Sequence, residues 1–242
     1  MKDLDVPDVE RPDGPRTKRE KAASARALEA QAELFEAQAR LYIADAEEAE
    51  AHHVASEMLR EINRDKHEEY RATDNEHRTY RFLGVVTQAT AKTAVDKLVQ
   101  WHRVDPECNI KFVIDSPGGG IIEGFHLFDQ MLWLRREGHH ITTIATGMAA
   151  SMGGVLFQAG SERIMTPQAS MLIHEAQFGT GGSFGQVEDE VEYVRMLQDR
   201  ILYILAERST LSRLQIKRKW SRKNWWLMAE EAVKLGFADS IE

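Results

Sequence analysis

Apolar segments from residue 79 onward follow two alternating periodicities, which predict repeated strand–helix units. Short continuous apolar runs, typical of buried strands, alternate with longer segments whose apolar residues recur every three or four positions, as on one face of a helix. The predicted strands are Tyr80–Val86, Ile110–Asp115, Ile141–Thr146 and Ser170–Glu175, and the predicted helices are Ala91–Arg103, Ile121–Arg136 and Val187–Ala206. Strands that alternate with helices indicate an α/β fold with a largely parallel sheet.

The first third of the chain has a different pattern, with no Gly or Pro between residues 16 and 83. Good helix formers dominate this stretch. It predicts a flexible arm over residues 1–17, an acidic, Ala-rich helical extension over residues 18–78 and an α/β domain over residues 79–242. Apolar residues recur every seven positions at Leu28, Phe35 and Tyr42, which is the spacing of a thin coiled-coil seam. A solvated helix and a helix that associates with itself or with a partner both fit this seam.

Charge separates the same two regions. The chain of 242 residues has a formal net charge of −8. Residues 1–78 contain 20 acidic and 13 basic residues, whereas residues 79–242 contain 19 and 18. Neither region has the basic excess typical of a nucleic-acid-binding domain, so nucleic acid is not an expected partner. Lys217–Lys223 and the following Trp225 and Trp226 mix basic and aromatic residues as single-strand binders do. A short helix with a solvated face is the commoner explanation.

Several classes of protein are excluded by features that the sequence lacks. Its apolar runs are shorter than the roughly 18 residues of a membrane-spanning helix, and no apolar signal core follows the first residues, so we expect a cytoplasmic protein. The single cysteine, Cys108, excludes an internal disulfide and a multi-cysteine metal site. No His-Glu-x-x-His or comparable ligand spacing occurs, so a metal is not expected.

Ser151 is the first candidate for chemistry, because it lies where a predicted strand meets a predicted helix. Residues 149–153 read Ala-Ala-Ser-Met-Gly, and small neighbours allow the sharp turn of a nucleophile elbow, although Ala149 replaces the usual first glycine. A serine at a helix start is also a common N-cap, and both interpretations stay open. As a nucleophile, Ser151 would be followed by the amide of Met152, directed to where an oxyanion forms.

Two further segments carry candidate groups. Residues 117–120 read Pro-Gly-Gly-Gly after a predicted strand, and such a run exposes backbone N–H groups that bind oxyanions or peptide backbone. The Gly-Lys-Ser/Thr ending of a phosphate-binding loop is missing, and a tight turn explains the glycines equally well. His174 ends an apolar strand, where a histidine is commonly structural, but it is also the side chain best suited to accept a serine proton near neutral pH.

Together these segments resemble the proteolytic subunit of the Clp protease, the ClpP family of serine peptidases, over about residues 80–241. The similarity rests on ordered segments at residues 80–84, 114–119 (Ile-Asp-Ser-Pro-Gly-Gly), 147–153 (Gly-Met-Ala-Ala-Ser-Met-Gly), 171–174 (Met-Leu-Ile-His) and 231–241. Each segment is weak by itself, but their order and spacing are specific. The resemblance implies a ClpP/crotonase-like βα spiral with a protruding handle helix, preceded here by the long α-helical extension.

The resemblance also implies roles for individual residues. Ser151 would be the nucleophile and His174 the general base, and the amides of Gly119 and Met152 would form the oxyanion hole. The family has an aspartate as third member of the triad, and counting back from the closing segment puts Asn224 at that position. An asparagine orients the imidazole through a hydrogen bond but does not stabilise the imidazolium by charge, so we expect an active but slowed enzyme.

Substrate and assembly are implied in the same way. Gly120, Ile121 and Ile122 would pair with the substrate as an added β-strand. The helix around Val187–Ala206 would be the handle through which two rings of a homo-oligomer stack. The implied function is a serine endopeptidase without a cofactor, which hydrolyses unfolded or flexible polypeptides through an acyl-enzyme on Ser151. An ATP-driven unfoldase would be its partner.

The N-terminal extension departs from the family, which has a short propeptide and axial loops. It fits a propeptide, an oligomerisation arm, an adaptor or a scaffold-like segment of the kind attached to viral prohead proteases. If the extension is a scaffold-like segment, a variant of the leading hypothesis is a capsid-maturation protease. Its partner would then be a capsid or scaffold protein. Two other classes stay open: a catalytically inactive structural or regulatory subunit, motivated by Asn224, and acyl-CoA chemistry, because crotonase enzymes share this fold.

Overall fold

The computed structural model describes residues 33, 34, 36, 50–61 and 72–242. The chain divides into two units, Met1–Arg64 and Asp65–Glu242. In the first unit, residues 50–61 are helical (α1), and the apolar side chains of Val54, Met58 and Leu59 are exposed on this helix. The predicted arm and the three seam positions 28, 35 and 42 lie outside the described residues.

The described part of the second unit alternates strands and helices, as the periodicities predicted. Its strands are β1 (Thr73–Asp74), β2 (Thr79–Val86), β3 (Ile110–Gly119), β4 (Ile141–Ala150), β5 (Glu162–Met165), β6 (Ser170–Ile173), β7 (Trp225–Met228) and β8 (Ser240–Ile241). Its helices are α2 (Gln88–Val104), α3 (Ile121–Arg136), α4 (Met152–Phe157), α5 (Phe184–Glu207), α6 (Arg213–Trp220) and α7 (Ala229–Lys234). The α/β class and the βα organisation are therefore confirmed.

The strands form one mixed sheet with a largely parallel centre. The main path runs β1-β2-β3-β4-β5-β8, in which only β1 is antiparallel to its neighbour. Strand β4 is ten residues long and has two partners on one side. Its first half pairs with β5 and its last three residues pair with β6, also in parallel. Strand β7 then pairs with β6 in the antiparallel sense. The sheet thus divides within β4, between Ala145 and Met148.

The observed elements match the predicted ones most closely where the apolar pattern is long. Helix α3 has the predicted bounds, and α5 exceeds its predicted range by a few residues at its start. Strands β3 and β4 continue four residues past their predicted ends, through Pro117-containing and Gly147-containing segments that looked like turns. The short elements β1, β5, β7, β8 and α7 were not predicted, because two to six residues give too little periodicity to detect.

The core lies between the sheet and the helices packed against it, with α2 and α3 adjacent to each other. Its largest fully buried side chains are Trp101, Trp220, Phe112, Phe157, Phe237, Leu98, Ile110, Ile114, Leu127, Met131, Leu134 and Ile141. Burying large apolar side chains contributes about 1.5–3 kcal/mol each, and this burial is the main force that holds the strand ends in register. The site described below depends on that register.

Helix α5 protrudes from this core, as the resemblance implied for the handle. It begins with a capping box between Ser183 and Gln186 and continues for 24 residues, about 36 Å of helix. Only Leu202 and Leu205, near its end, are fully buried. The remaining apolar stripe is half-buried or exposed, including Phe184 and Met196. No helix among the described residues is long and apolar enough to cross a membrane.

Candidate active site

The candidate residues meet because three parallel strands end at the same edge of the sheet. Strand β4 pairs in parallel with β3 on one side and with β6 on the other, so their carboxyl ends are neighbours. The glycine-rich segment closes β3, Ser151 directly follows β4, and His174 directly follows β6. This edge of an open parallel sheet is where ligands of α/β proteins commonly bind.

Ser151 has a strained backbone and an unengaged hydroxyl. Its φ of 54° and ψ of −121° are uncommon for a residue with a Cβ, and such a conformation costs roughly 1–3 kcal/mol. The Ser151 N–H donates to the carbonyl of Leu172 at 2.9 Å, which ties the turn to β6. Although Ser151 occupies the N-cap position of α4, its side chain makes no capping hydrogen bond. The hydroxyl is therefore free for another role, which favours the nucleophile elbow over the plain N-cap.

The glycine-rich segment packs directly against this elbow. A Cβ added to Gly118 would lie 2.6 Å from the Cβ of Ser151 and 2.9 Å from the amide nitrogen of Met152, far inside van der Waals contact. Gly118 also has a φ of +95°, and Gly119 has a φ of +145°. These conformations and the close approach both require glycine. The segment read as a tight turn is thus the bulged end of a strand, held against the candidate nucleophile.

A cleft of about 280 Å³ collects most of the predicted residues. Ser151, His174, Gly119, Met152 and Ile121 all line it. Polar and apolar groups share its walls, and further lining residues include Pro117, Leu172, Glu175, Gln177, Leu205 and Trp220. A hydroxyl, an imidazole and the backbone of two predicted oxyanion residues therefore border one cavity, as acyl transfer requires.

The substrate-pairing residues have a different local structure from the one expected. Ile121 and Ile122 form the first turn of α3, and Gly120 is its N-cap with φ −59° and ψ 126°. The Gly120 N–H already donates to the carbonyl of Val86 at 2.9 Å. Because helical N–H groups point along the helix axis, Ile121 and Ile122 do not present an extended edge to a substrate strand. Ile122 is half exposed and is absent from the residues that line the cleft.

A strand that the sequence did not reveal, β7, runs alongside the strand that precedes His174 and begins directly after Asn224, which is not among the residues that line the cleft. Strands β6 and β7 are antiparallel, with Ile173 opposite Trp225, so one further step of this register sets Asn224 opposite His174. His174 is half-buried and Asn224 is exposed. Among the described residues, no hydrogen bond joins the His174 ring to Ser151 or to Asn224. Catalytic hydrogen bonds are often long before substrate binds. The assignment of Ser151, His174 and Asn224 as a triad therefore rests on the strands that carry them, not on hydrogen bonds between them.

Two residues of the cleft were missed by sequence reasoning. Glu175, next to His174, accepts a hydrogen bond from the backbone N–H of Arg222 at 3.1 Å, which fixes the turn before Asn224. Arg222 has a φ of 57°, so this turn is also strained. Trp220, at the end of α6, is fully buried beneath the cleft. Glu175 was adjacent to a candidate residue, which is the only signal that could have found it.

A second polar cluster lies elsewhere on the sheet, around Arg163, whose guanidinium is engaged by several hydrogen bonds. The buried Arg163 of β5 donates to Gln158 Oε1 at 2.7 Å, to the Gly236 carbonyl at 2.9 Å and to Asp239 Oδ2 at 3.0 Å. Burial would raise the pKa of Asp239, but the hydrogen bonds and charge of Arg163 outweigh it and hold that pKa below its usual value. Burial lowers the pKa of Arg208 nearby, and the charge of Arg163 lowers it further.

Other reactive groups are separate from the cleft. Burial raises the pKa of the Cys108 thiol, which is a free cysteine near His139. A thiol with a raised pKa is a poor nucleophile at neutral pH. Among the described residues, no three His, Cys, Asp or Glu side chains are grouped so that they could hold a metal ion.

Comparison with known proteins gives a consistent result over the second unit. A family model described as Clp protease matches residues 66–242. An ATP-dependent Clp protease proteolytic subunit of Bacteroides thetaiotaomicron is 32% identical over 165 residues, which cover 66% of this chain and 72% of that protein. A protein of the same description from Bacteroides fragilis is 32% identical over 165 residues, with 66% of this chain and 77% of that protein covered.

Proposed function

This chain belongs to the Clp protease family, and from that premise we propose that it is a serine endopeptidase with Ser151 as its nucleophile. The observation that carries the proposal is the state of Ser151. Its hydroxyl is free of capping, its backbone is strained at a strand–helix elbow, and it borders one cleft with His174. Backbone strain that the surrounding packing maintains at a turn is typical of a catalytic residue.

The reaction would proceed by acyl transfer. Ser151 Oγ attacks the carbonyl carbon of the scissile peptide bond while His174 accepts the hydroxyl proton. The amides of Gly119 and Met152 stabilise the oxyanion as it forms. His174 then returns the proton to the leaving amine as the peptide bond breaks, and an acyl-enzyme remains on Ser151. A water molecule, deprotonated by His174, hydrolyses that ester and releases the serine.

Asn224 would orient the His174 ring from the neighbouring strand. A neutral amide accepts or donates a hydrogen bond but adds no negative charge beside the imidazolium, so the rate falls below that of an aspartate-containing triad. This substitution also favours a second candidate function, a catalytically inactive subunit with a structural or regulatory role. The two candidates differ in one property, the reactivity of Ser151.

The substrate would be an unfolded or flexible polypeptide bound in an extended form. Of the three residues proposed for strand pairing, Gly120 has an extended backbone, whereas Ile121 and Ile122 would contribute side chains at the first turn of α3. Backbone pairing selects for extended chain rather than for a particular sequence. The acidic extension also fits a capsid-maturation protease, and co-sedimentation of residues 1–78 with capsid or scaffold protein would separate that role from general proteolysis.

We propose that the protein assembles as a homo-oligomer through α5 and acts in the cytoplasm with an ATP-driven unfoldase. Support comes from the apolar side chains that α5 exposes, including Phe184, Tyr193, Met196 and Tyr203. Exposed apolar side chains in such number on one helix mark an interaction surface. Sedimentation velocity of the wild type beside a Phe184→Ser/Met196→Ser variant tests the assembly, since the variant should sediment as a smaller species.

Labelling with a fluorophosphonate probe tests the proposed chemistry. Assembled wild-type protein should gain one phosphonate adduct on Ser151, detected by intact mass and peptide mapping, and should hydrolyse a fluorogenic peptide. Ser151→Ala should do neither. Ser221→Ala, which changes an exposed serine outside the cleft, is the matched control and should behave as wild type. Assembled wild-type protein that takes up no probe would favour the inactive subunit.

A further inference from the structure

Six basic residues lie close together in sequence, on α6 and in the turn that follows it, and the mechanism above does not use them. The basic strip consists of Arg213, Lys217, Arg218, Lys219, Arg222 and Lys223. These are six of the 18 Lys and Arg residues between positions 79 and 242, and no acidic residue interrupts positions 212–224. The 153 positions of that region outside 213–223 carry 12 basic and 19 acidic residues. Positive charge is thus concentrated at one place on an otherwise acidic domain.

The strip is attached to the cleft at two points. Trp220, at the end of α6, lines the cleft together with Ser151 and His174. Arg222 is joined by its backbone N–H to the carboxylate of Glu175, which also lines the cleft. Lys217 lies three residues before Trp220, about 5 Å along the helix axis. A polypeptide that leaves the cleft in extended form would therefore reach the strip within about three to six residues of the scissile bond, at roughly 3.3 Å per residue.

The charges of the strip are available to a ligand. Arg213, Lys217, Arg218, Arg222 and Lys223 are all exposed. None of the ion pairs found among the described residues involves any member of the strip. Six like charges that lack acidic partners within the strip repel one another, and an incoming anionic segment relieves that repulsion.

The aromatic residues of this region argue for polypeptide rather than nucleic acid. Single-strand binders stack bases on open aromatic faces. Here Trp220 is fully buried, and Trp225 is covered by Lys219, whose Nζ lies 4.7 Å from the ring centroid. The Trp225 ring also packs edge-on against Phe237. Two of the three tryptophans are thus engaged in packing. The third, Trp226, is half exposed and offers a single aromatic face, not the series of stacking faces along a groove that single-strand binders use.

We propose that the basic strip recruits acidic segments of polypeptide substrates to the cleft, and so gives the enzyme a preference for scissile bonds flanked by Asp and Glu. The inference rests on the proposed peptidase function and names its substrate class. Exposed charges act mainly on encounter and on weak binding, so the preference belongs in KM rather than in kcat. It also falls with ionic strength, because the Debye length shortens from about 10 Å at 0.1 M to about 3 Å at 1 M.

The test uses the full chain and three fluorogenic peptides that share one scissile sequence. Their flanking residues, four to six positions from the scissile bond, are either Glu, Ser or Lys. At low salt the wild type should show a KM about fivefold lower for the Glu-flanked peptide than for the Ser-flanked one, with a similar kcat. The difference should nearly vanish at 1 M salt. Equal KM values for the two peptides at low salt would overturn the proposal.

Two charge-reversal variants locate the effect. Lys217→Glu/Arg218→Glu changes two exposed members of the strip and should reverse the preference toward the Lys-flanked peptide. Arg103→Glu/Lys111→Glu makes the same change in charge at exposed positions near the other end of β3 and should keep the wild-type preference. An equal loss in both variants would mean that net charge acts, not the strip. Both variants should hydrolyse the Ser-flanked peptide at the wild-type rate.

Two further outcomes distinguish a failure of this proposal from a failure of the peptidase proposal on which it rests. If the wild type hydrolyses none of the peptides, the peptidase proposal fails, and fluorescence anisotropy with the labelled Glu-flanked peptide then tests the strip alone. Binding that disappears in Lys217→Glu/Arg218→Glu would support an acidic-peptide surface, and absence of binding by the wild type would overturn it. A labelled oligo-dT that binds through the strip, with no effect of the variant on peptide KM, would also overturn it in favour of nucleic acid.

Discussion

The cleft around Ser151 and the cluster around Arg163 are both built from polar side chains on the same sheet, but they treat hydrogen bonds in opposite ways. Arg163, which pairs with Thr143 near the start of β4, donates to a side-chain amide, two backbone carbonyls and a carboxylate. Ser151, at the far end of β4, has an unused hydroxyl and a strained φ of 54°. Ser151 is half-buried and borders the cleft, so its hydroxyl stays open to a ligand, whereas Arg163 is buried with its guanidinium engaged by protein groups.

This difference separates a structural role from a functional one without reference to residue type. At Arg163 the available donors are consumed by the protein itself, and the guanidinium ties β5 to the segments around Gly236 and Asp239. At Ser151 the groups are held in place by backbone contacts, while their reactive atoms remain open to a ligand. Proteins retain a strained backbone or an unused hydrogen-bonding group at sites where function requires them. Each prediction below alters one side of this comparison and leaves the other unchanged.

Gly118→Ala should give the largest effect on activity. The added methyl would lie 2.6 Å from the Cβ of Ser151, so the elbow or the glycine segment must move, and displacement of a nucleophile by about 1 Å costs on the order of 100-fold in rate. We expect kcat/KM for a neutral peptide and the rate of fluorophosphonate labelling to fall about 100-fold or more.

Gly138→Ala is the matched control. Gly138 has a φ of +103°, close to the +95° of Gly118, but an added Cβ there would meet no atom within 4 Å. Both variants therefore carry the same backbone strain, of roughly 1 kcal/mol, and only one of them disturbs Ser151. Equal activity of the two variants would show that the close packing of Gly118 on the elbow is irrelevant to catalysis.

Arg163→Gln should be the largest change on the structural side. It removes the ion pair with Asp239 and leaves buried acceptors without donors, so we expect a loss of about 2 kcal/mol in the free energy of unfolding. Thermal unfolding should shift down by about 4–8 °C. Arg136→Gln, at an exposed arginine, should leave the thermal unfolding temperature unchanged. If the Arg163 variant kept full stability but lost labelling of Ser151, the assignment of the two clusters would be reversed.

Asn224→Asp should raise activity by about tenfold. The register opposite His174 would bring a carboxylate beside the developing imidazolium, and a charge pair about 4 Å apart at the surface gives about 1 kcal/mol or somewhat more, close to tenfold in rate. Asn224→Ala should lower kcat because the ring loses its orienting partner, and the pH profile of kcat should change with it. Ser221→Asp adds one negative charge at an exposed position three residues away and should give no gain. No gain from Asp together with no loss from Ala would mean that Asn224 is not the third member.

The case of Asn224 shows what the sequence could and could not predict. Ser151 and His174 were found because each ends an apolar strand, a local pattern that a single segment reveals. That they border one cleft follows from the pairing of β4 with β6, a long-range contact that no segment encodes alone. Strand β7 has four residues, too few for a visible period, so its register with β6 came only from the fold. The roles given to these residues remain predictions until the variants are measured.

The same limit explains the misread ends of strands. Pro117 and Gly147 look like turn residues, yet β3 and β4 continue through both, because the sheet tolerates a register shift between Ile114 and Ser116. Local propensity pointed to a turn and tertiary pairing overrode it. The long helices were predicted well for the opposite reason, since an apolar stripe of 16 residues or more is a strong local signal.

The smallest predicted effect is a pH dependence of stability that belongs to Asp239. Arg163 holds the pKa of Asp239 below its usual value in the folded chain, so the unfolded chain binds a proton at this group more readily. The resulting stability is present at neutral pH and is lost as pH falls through the usual aspartate range and below. Because 42% of the Asp239 side chain is exposed, solvent screening keeps the effect small, below about 1 kcal/mol.

Urea unfolding of the wild type and of Asp239→Asn measures this dependence. The wild type should be the more stable at neutral pH, and the gap should narrow as pH falls through the usual aspartate range and below it, because the pKa of Asp239 is lowered in the folded chain. Asp129→Asn, at an exposed carboxylate on α3, should track the wild type at every pH. A gap that stays constant with pH would mean that Asp239 acts by shape and neutral hydrogen bonds alone. In that event the hydrogen bonds of Arg163 would still hold the cluster together, but the charge of Asp239 would contribute nothing to the stability of the fold.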